Sequence, residues 1–213
     1  MSSVHTLRRW RGPAFVAVYL WTISALAQTP EPVFQVPSDP EVPVISYSET
    51  PELLGNPDRT PRVQVFGDGL VWVHYPVYMK KAGDYQMQLN PVQLHKLLSE
   101  VSAIFDFDVE AVMEEQNRRL SQARAQGGLQ HFRSETTRED WEFNLSSFQD
   151  SPTSSGRPVN HKITWNNDYS TVDEHPALKE FADLVRAREA IQALLDSNNL
   201  KKVDVASHED SPP

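Results

Sequence analysis

The chain has 213 residues, a formal net charge of -9, 16 prolines and no cysteine. That length suits one compact domain with extended ends. The deficit of Lys and Arg removes the counterion-release term on which nucleic-acid binding depends, and the missing thiols exclude disulfides, thiolate metal sites, a cysteine nucleophile and a lipidated cysteine behind a leader.

Residues 1–27 differ from everything that follows. Arg8, Arg9 and Arg11 form a basic start, Pro13 to Ala25 an uncharged apolar run, and Ala25-Leu26-Ala27 a pair of small side chains at signal-peptidase spacing. This is the layout of a secretory signal peptide, and cleavage by signal peptidase I is expected between Ala27 and Gln28. The uncharged stretch soon reaches Gln28 and prolines, short of the roughly 20 apolar residues of a spanning helix, so no stable membrane anchor is expected after cleavage. Leu7 before the arginine pair and Arg11-Gly12 after it do not fit a twin-arginine signal, which leaves the Sec route. The expected location is periplasmic or secreted; the short leader and the absence of cysteine favour a bacterial periplasm.

From Gln28 to Pro43 five prolines stand among Thr, Glu and Asp, which predicts an extended, polyproline-like linker without regular hydrogen bonds. Residues 44–200 read as the folded domain, and the acidic end, 201–213, as a disordered tail. Within the domain Val44 to Tyr47 is a first strand. Arg62–Phe66 and Leu70–Tyr75 flank Gly67-Asp68-Gly69 and form a β-hairpin. Its alternation puts Val63, Val65, Val71, Val73 and Tyr75 on the core face, and Gln64, Phe66, Trp72 and His74 on the other.

Asp84 to Leu89 continues with period two, turning Tyr85, Met87 and Leu89 inward. Asn90 caps a helix with Pro91 in its first position, and Leu94, Leu97, Leu98, Val101, Ile104 and Phe105 form one apolar stripe. A second helix, from about Asp108 to Gln126, carries the four-apart pairs Glu114–Arg118 and Glu115–Arg119, a thin apolar stripe and a Gly127-Gly128 stop. Leu129–Thr136, Trp141–Phe148 and His161–Trp165 read as further strands, and Pro176–Asp196 as a long helix with Leu178, Phe181, Leu184, Val185, Ile191, Leu194 and Leu195 inward. The sum is an α+β fold: one antiparallel sheet with two or three helices packed mainly on one face.

The sequence offers little chemistry. His74, His95, His131, His161, His175 and His208 never share a helix or strand face, so a metal site would need long-range convergence, and scattered histidines ordinarily serve as surface or hydrogen-bonded core residues. Asp106, Asp108, Glu110, Glu114 and Glu115 lack the glycine and spacing of a calcium loop and suit a helix start; Asn166-Asn167-Asp168 suits a turn. Motifs such as G-x-S-x-G, a phosphate-cradling glycine loop or H-E-x-x-H are missing. No metal, cofactor or catalytic residue is assigned.

Two surface features stand out. Phe66, Trp72, His74 and Tyr78 compose an aromatic patch, unless other segments pack over it. Arg118, Arg119, Arg124 and Arg133 concentrate positive charge near the end of the second helix, where it could receive an acidic partner such as an envelope protein or anionic headgroups, or be spent in internal ion pairs.

Over residues 60–105, with Gly67-Asp68-Gly69-Leu70-Val71-Trp72-Val73, then Ala82-Gly83-Asp84-Tyr85 and Leu89-Asn90 ahead of Leu94, Leu97 and Leu98, the chain resembles a group of uncharacterised bacterial exported proteins. The resemblance implies a fold and an exported location, with no activity, and makes the second helix an insertion. Two functions remain open: a non-enzymatic binding or interaction domain, and a periplasmic hydrolase whose carboxylates and histidines converge from distant strands. The hydrolase needs a deep pocket holding such groups within hydrogen-bond reach; the binding domain needs an exposed patch.

Overall fold

The structure, a computed structural model, describes residues 31–51, 57–126, 137–167 and 178–203. Its strands are β1 (Val33–Gln35), β2 (Pro43–Pro51), β3 (Val63–Phe66), β4 (Leu70–Tyr75), β5 (Gly83–Gln88), β6 (Thr137–Gln149), β7 (Arg157–Asn167) and β8 (Lys201–Lys202). The helices are α1 (Pro91–Val101), continued by a 3-10 turn at Ser102–Ile104, α2 (Val109–Ala125) and α3 (Lys179–Leu195). All strand pairs are antiparallel and belong to one sheet. β6 has β7 along one edge and β1 and β2 end to end along the other; β3, β4, β5 and β8 follow beyond β2. The fold is a single α+β domain, as its alternating and helical periods require.

Local chemistry explains the first half. In the β3–β4 turn Gly69 has φ +86°, its N–H donates to the Phe66 carbonyl (3.0 Å), and its carbonyl receives the Leu89 N–H (2.9 Å). A side chain there would combine an unfavourable backbone angle with a Cβ only 2.4 Å from the Leu89 carbonyl oxygen. At α1, Asn90 Oδ1 accepts from the Gln93 N–H and Gln93 Oε1 accepts from the Asn90 N–H, both at 2.9 Å, a reciprocal cap ahead of Pro91.

The predicted inner faces form the core. Val63, Val65, Val71 and Val73 are wholly buried, and the whole α1 stripe through Phe105 is buried with them. From β6, Trp141, Phe143 and Leu145 point the same way; the Phe105 ring lies 5.0 Å from Phe143 and 5.2 Å from Phe148, and Trp165 meets Phe107 at 5.6 Å and Phe181 at 5.5 Å. Each such side chain contributes about 1.5–3 kcal/mol through removal from water. Among the described residues α2 reaches this core through Val112, buried, and Val109, partly buried, in keeping with its thin stripe.

The structure departs from the sequence reading at the margins. The proline-rich segment contains β1: Phe34 stacks on Phe148 at 5.5 Å and meets His95 edge-on at 5.2 Å, while the His95 ring lies 3.0 Å from the Pro32 carbonyl. The prolines flank Val33–Gln35 and leave those three N–H groups intact. Likewise Lys201–Lys202, read as the start of a tail, pair with Gln86 and Tyr85. β2, β6 and β7 run past their apolar stretches because polar residues keep pairing, Thr137 to Asp140 with Asn167 to Thr164. The leader, Gly127-Gly128, the expected strand at 129–136 and the chain beyond 203 lie outside the described residues.

Gly69→Ala is expected to destabilise the fold by about 2 kcal/mol or more, seen as a lower denaturation midpoint with an unchanged slope; wild-type stability would contradict the turn geometry.

Candidate functional site

Because the described helices lie on one side, strand alternation presents a second face that no described helix or strand covers. Register places Lys162, Glu142, Ser46, Gln64, Trp72, Gln86 and Lys201 in one row across the sheet. All seven are half-buried or exposed. Trp72 thus stands between Gln64 and Gln86, whose amides have no side-chain partner among the described residues. Apart from Lys201 at its end, the charges around this row pair locally: Lys162 with Glu142 (3.1 Å), and Arg138 with Asp140 (2.9 Å), which also accepts from the Thr164 hydroxyl (2.6 Å).

Two residues beyond Trp72, His74 stands between two carboxylates. Its Nδ1 lies 2.7 Å from Asp84 Oδ1 on the neighbouring β5, and its Nε2 lies 2.9 Å from Asp58 Oδ2. Only an imidazolium donates from both nitrogens. Partial burial opposes that charge, but the hydrogen bonds the ring donates to Asp84 and Asp58 outweigh it and raise the pKa. The Thr60 backbone N–H, then His74, hold Asp58 down at about 2. Among the described residues Asp58 and Asp84 are the charged groups acting on the ring. The clamp ties residues 57–60, ahead of β3, onto the sheet. Its ring sits between the acids, so the three do not converge on a common point for a metal, and among the described residues no cluster of three His, Asp or Glu does.

The remaining sequence candidates scatter. Phe66 is half-buried on the outer face, beside the bulged start of β2, and Tyr78 is exposed on the β4–β5 turn. Arg118 and Arg119 both grip Glu115, at 2.6 and 2.7 Å, which lowers the Glu115 pKa to about 2. One of their two positive charges is thus balanced within α2. Nothing is described of the Arg124 side chain, and Arg133, the leader residues Ala25, Ala27 and Gln28, and His131, His175 and His208 fall outside the described residues. His161 lies 3.0 Å from the Phe107 carbonyl, a structural contact.

A buried ionic cluster escaped the sequence reading. Glu139, 1% exposed, accepts from Arg188 of α3 at 2.7 and 3.2 Å, and its cross-strand neighbour Glu49 accepts from Arg62 at 2.5 Å. Burial raises the Glu139 pKa and Arg188 opposes the rise. The Trp141 indole N–H has no partner of hydrogen-bonding geometry, yet lies near enough to favour the charged carboxylate. Burial above all, then Glu139 and Glu49, push the Tyr47 phenol up. The available signal was parity: Glu139 continues the inward series of Trp141 and Phe143, and Arg188 falls between Leu184 and Ile191 on the apolar side of α3.

A pH titration followed by imidazole NMR is expected to place His74 above about 6.5. Its stabilising effect is complete below that unfolded value and disappears as pH rises through the raised folded one; that of Asp58 is present above about pH 4 and lost on falling towards 2. His74→Gln is thus expected to cost about 1–2 kcal/mol at pH 6 and clearly less at pH 9, and a pH-independent cost would contradict the clamp. For the buried pair, Arg188→Met alone is expected to cost about 3–5 kcal/mol, with most of it recovered in the double variant with Glu139→Leu; equal losses in both would show that Glu139 does not depend on Arg188. Compared with known proteins, the chain matches no family model, no curated protein and no solved structure.

Proposed function

We propose that the chain is an exported, non-enzymatic binding or protein-interaction domain, released by cleavage after Ala27, whose contact surface is the outer sheet face centred on Trp72. The observation that carries this reading is the Gln64–Trp72–Gln86 row: a half-buried indole between two amides that have no partner among the described residues. An indole offers apolar area and a donor, and amides offer both hydrogen-bond polarities, the usual material of a contact surface. Because the charges nearest Trp72, other than Lys201 at the end of the row, pair with one another, the face suits a largely uncharged epitope. The α2 arginines fit this role less well, since Glu115 occupies both. His74 makes a poor general base: both ring nitrogens are held by carboxylates, and it lines none of the cavities at α2–α3, at Pro91–Ser99 or at β5–β8. The signal-peptide layout and the resemblance to exported bacterial proteins support the location.

A photo-crosslinking residue at Gln64 or Gln86, expressed in the native host, is expected to capture a discrete envelope partner that the same residue at Lys96 does not. Trp72→Ala should weaken that capture by about ten-fold or more while leaving the melting temperature within a few degrees. Capture independent of Trp72, or of cytosolic proteins alone, would overturn the reading.

A further inference from the structure

The chain contains seven lysines. Lys96, Lys162 and Lys179 each pair with a carboxylate, Glu100, Glu142 and Asp183 respectively. Lys80, Lys81, Lys201 and Lys202 have no carboxylate partner among the described residues, and all four lie at the same edge of the sheet. Lys80 and Lys81 are exposed on the turn from β4 to β5, and Lys201 and Lys202 form β8, paired along β5. The two pairs meet at Gly83: a Cβ there would lie 3.2 Å from Lys202 Cε and 3.8 Å from its Nζ. Across the β4–β5 ladder from Gly83, the Lys81 ammonium sits 5.9 Å from the centre of the Tyr75 ring. Among the described residues the nearby acids are otherwise engaged, Asp84 with His74 and Asp196 with the Gln192 amide. In an acidic chain this is a localised positive edge.

The same turn carries two apolar side chains in water. The Met79 N–H donates to the Pro76 carbonyl (2.9 Å) and the Ala82 N–H to the Met79 carbonyl (3.0 Å), and Met79 packs against the core. That winding leaves Val77 87% and Tyr78 52% exposed. Scattered exposed apolar residues are ordinary; an adjacent pair at the tip of a basic edge is the composition of an interfacial membrane contact, in which lysines meet phosphate and an aromatic ring and an aliphatic group enter the headgroup layer. A soluble polyanion would account for the lysines but not for the exposed Val-Tyr tip.

We propose that this edge docks the domain reversibly on an anionic phospholipid surface, with Lys80, Lys81, Lys201 and Lys202 supplying the attraction and Val77 and Tyr78 the shallow insertion. The contact is peripheral and compatible with a chain in which no described helix is long and apolar enough to cross a membrane. It adjoins the Trp72 face through Lys201, which ends that row, and shares no other residue with it. Each lysine near an anionic surface is worth about five-fold in affinity, screened by salt over roughly 10 Å at 0.1 M.

The test is vesicle co-sedimentation of the full chain with phosphatidylcholine alone and with phosphatidylcholine–phosphatidylglycerol at roughly 3:1. All variants share one N-terminus, so differences between them report on the edge. Binding to the mixed vesicles is expected to exceed binding to phosphatidylcholine and to fall with added salt. The combined variant K80Q/K81Q/K201Q/K202Q should lose about twenty-fold or more in affinity, its lysine-to-arginine counterpart should retain binding, and V77S/Y78S should weaken vesicle binding several-fold without changing binding to soluble polyphosphate. The proposal fails if the two vesicle types bind alike, if the glutamine variant binds as wild type, or if the arginine counterpart loses binding as the glutamine variant does. An effect of the lysines on polyphosphate and vesicles alike, with no effect of V77S/Y78S, would make the edge a polyanion site and overturn the membrane assignment.

Discussion

A slip of one residue between β2 and β6 would turn every side chain of either strand to the opposite face, and the architecture depends on that slip not occurring. In the observed register Tyr47 faces Trp141 with ring centres 4.5 Å apart, Ile45 faces Phe143, and Glu49 faces Glu139. All but Glu49 are buried. The Glu139–Arg188 pair adds a directional tie from this register to α3, since the slipped alternative would bury Arg138 or Asp140 where Arg188 now meets a carboxylate. Buried ion pairs contribute little net stability but penalise wrong arrangements heavily.

The register is not uniform along the strands, and its irregularities serve the core. Between Pro43 and Ile45 the pairing shifts, which lets two successive residues, Val44 and Ile45, both be wholly buried. A second shift lies between Leu145 and Phe148. Those two residues stand three apart and would face opposite ways in a regular strand, yet both are buried. Past that second shift β6 pairs with β1, and Phe34 stacks on Phe148. The proline-rich segment thereby becomes part of the sheet.

One-sided covering by helices divides the molecule into a packed face and a polar one. On the polar face most charges are paired within a row or with an adjacent strand, leaving Trp72 and its flanking amides; at the β5–β8 edge the lysines stay unpaired. A domain negative overall can thus present a neutral contact face and, beside it, a positive margin, with Lys201 belonging to both.

Much of the first half was legible in the sequence because its signals are local. Gly67-Asp68-Gly69 between alternating strands, and Asn90-Pro91 ahead of an i, i+3, i+4 stripe, each act within a few residues, and the parity of Val63 to His74 correctly separated the two faces. What escaped is non-local or too short to show a period. β1 has three residues and β8 two. His74 finds Asp58 16 residues away, and Glu139 finds Arg188 49 residues away. For the α2 arginines the sequence showed the charge and the chance of internal pairing, but not that one acid, Glu115, takes both Arg118 and Arg119.

The one-sided architecture can be measured directly by limited indole oxidation of the native protein followed by peptide mass spectrometry. Trp72, on the polar face, should be modified in the folded state, whereas Trp141 and Trp165, 1% and 4% exposed, should be protected until unfolding. Protection of Trp72 equal to that of Trp141 would mean that its face is covered, and would contradict the account.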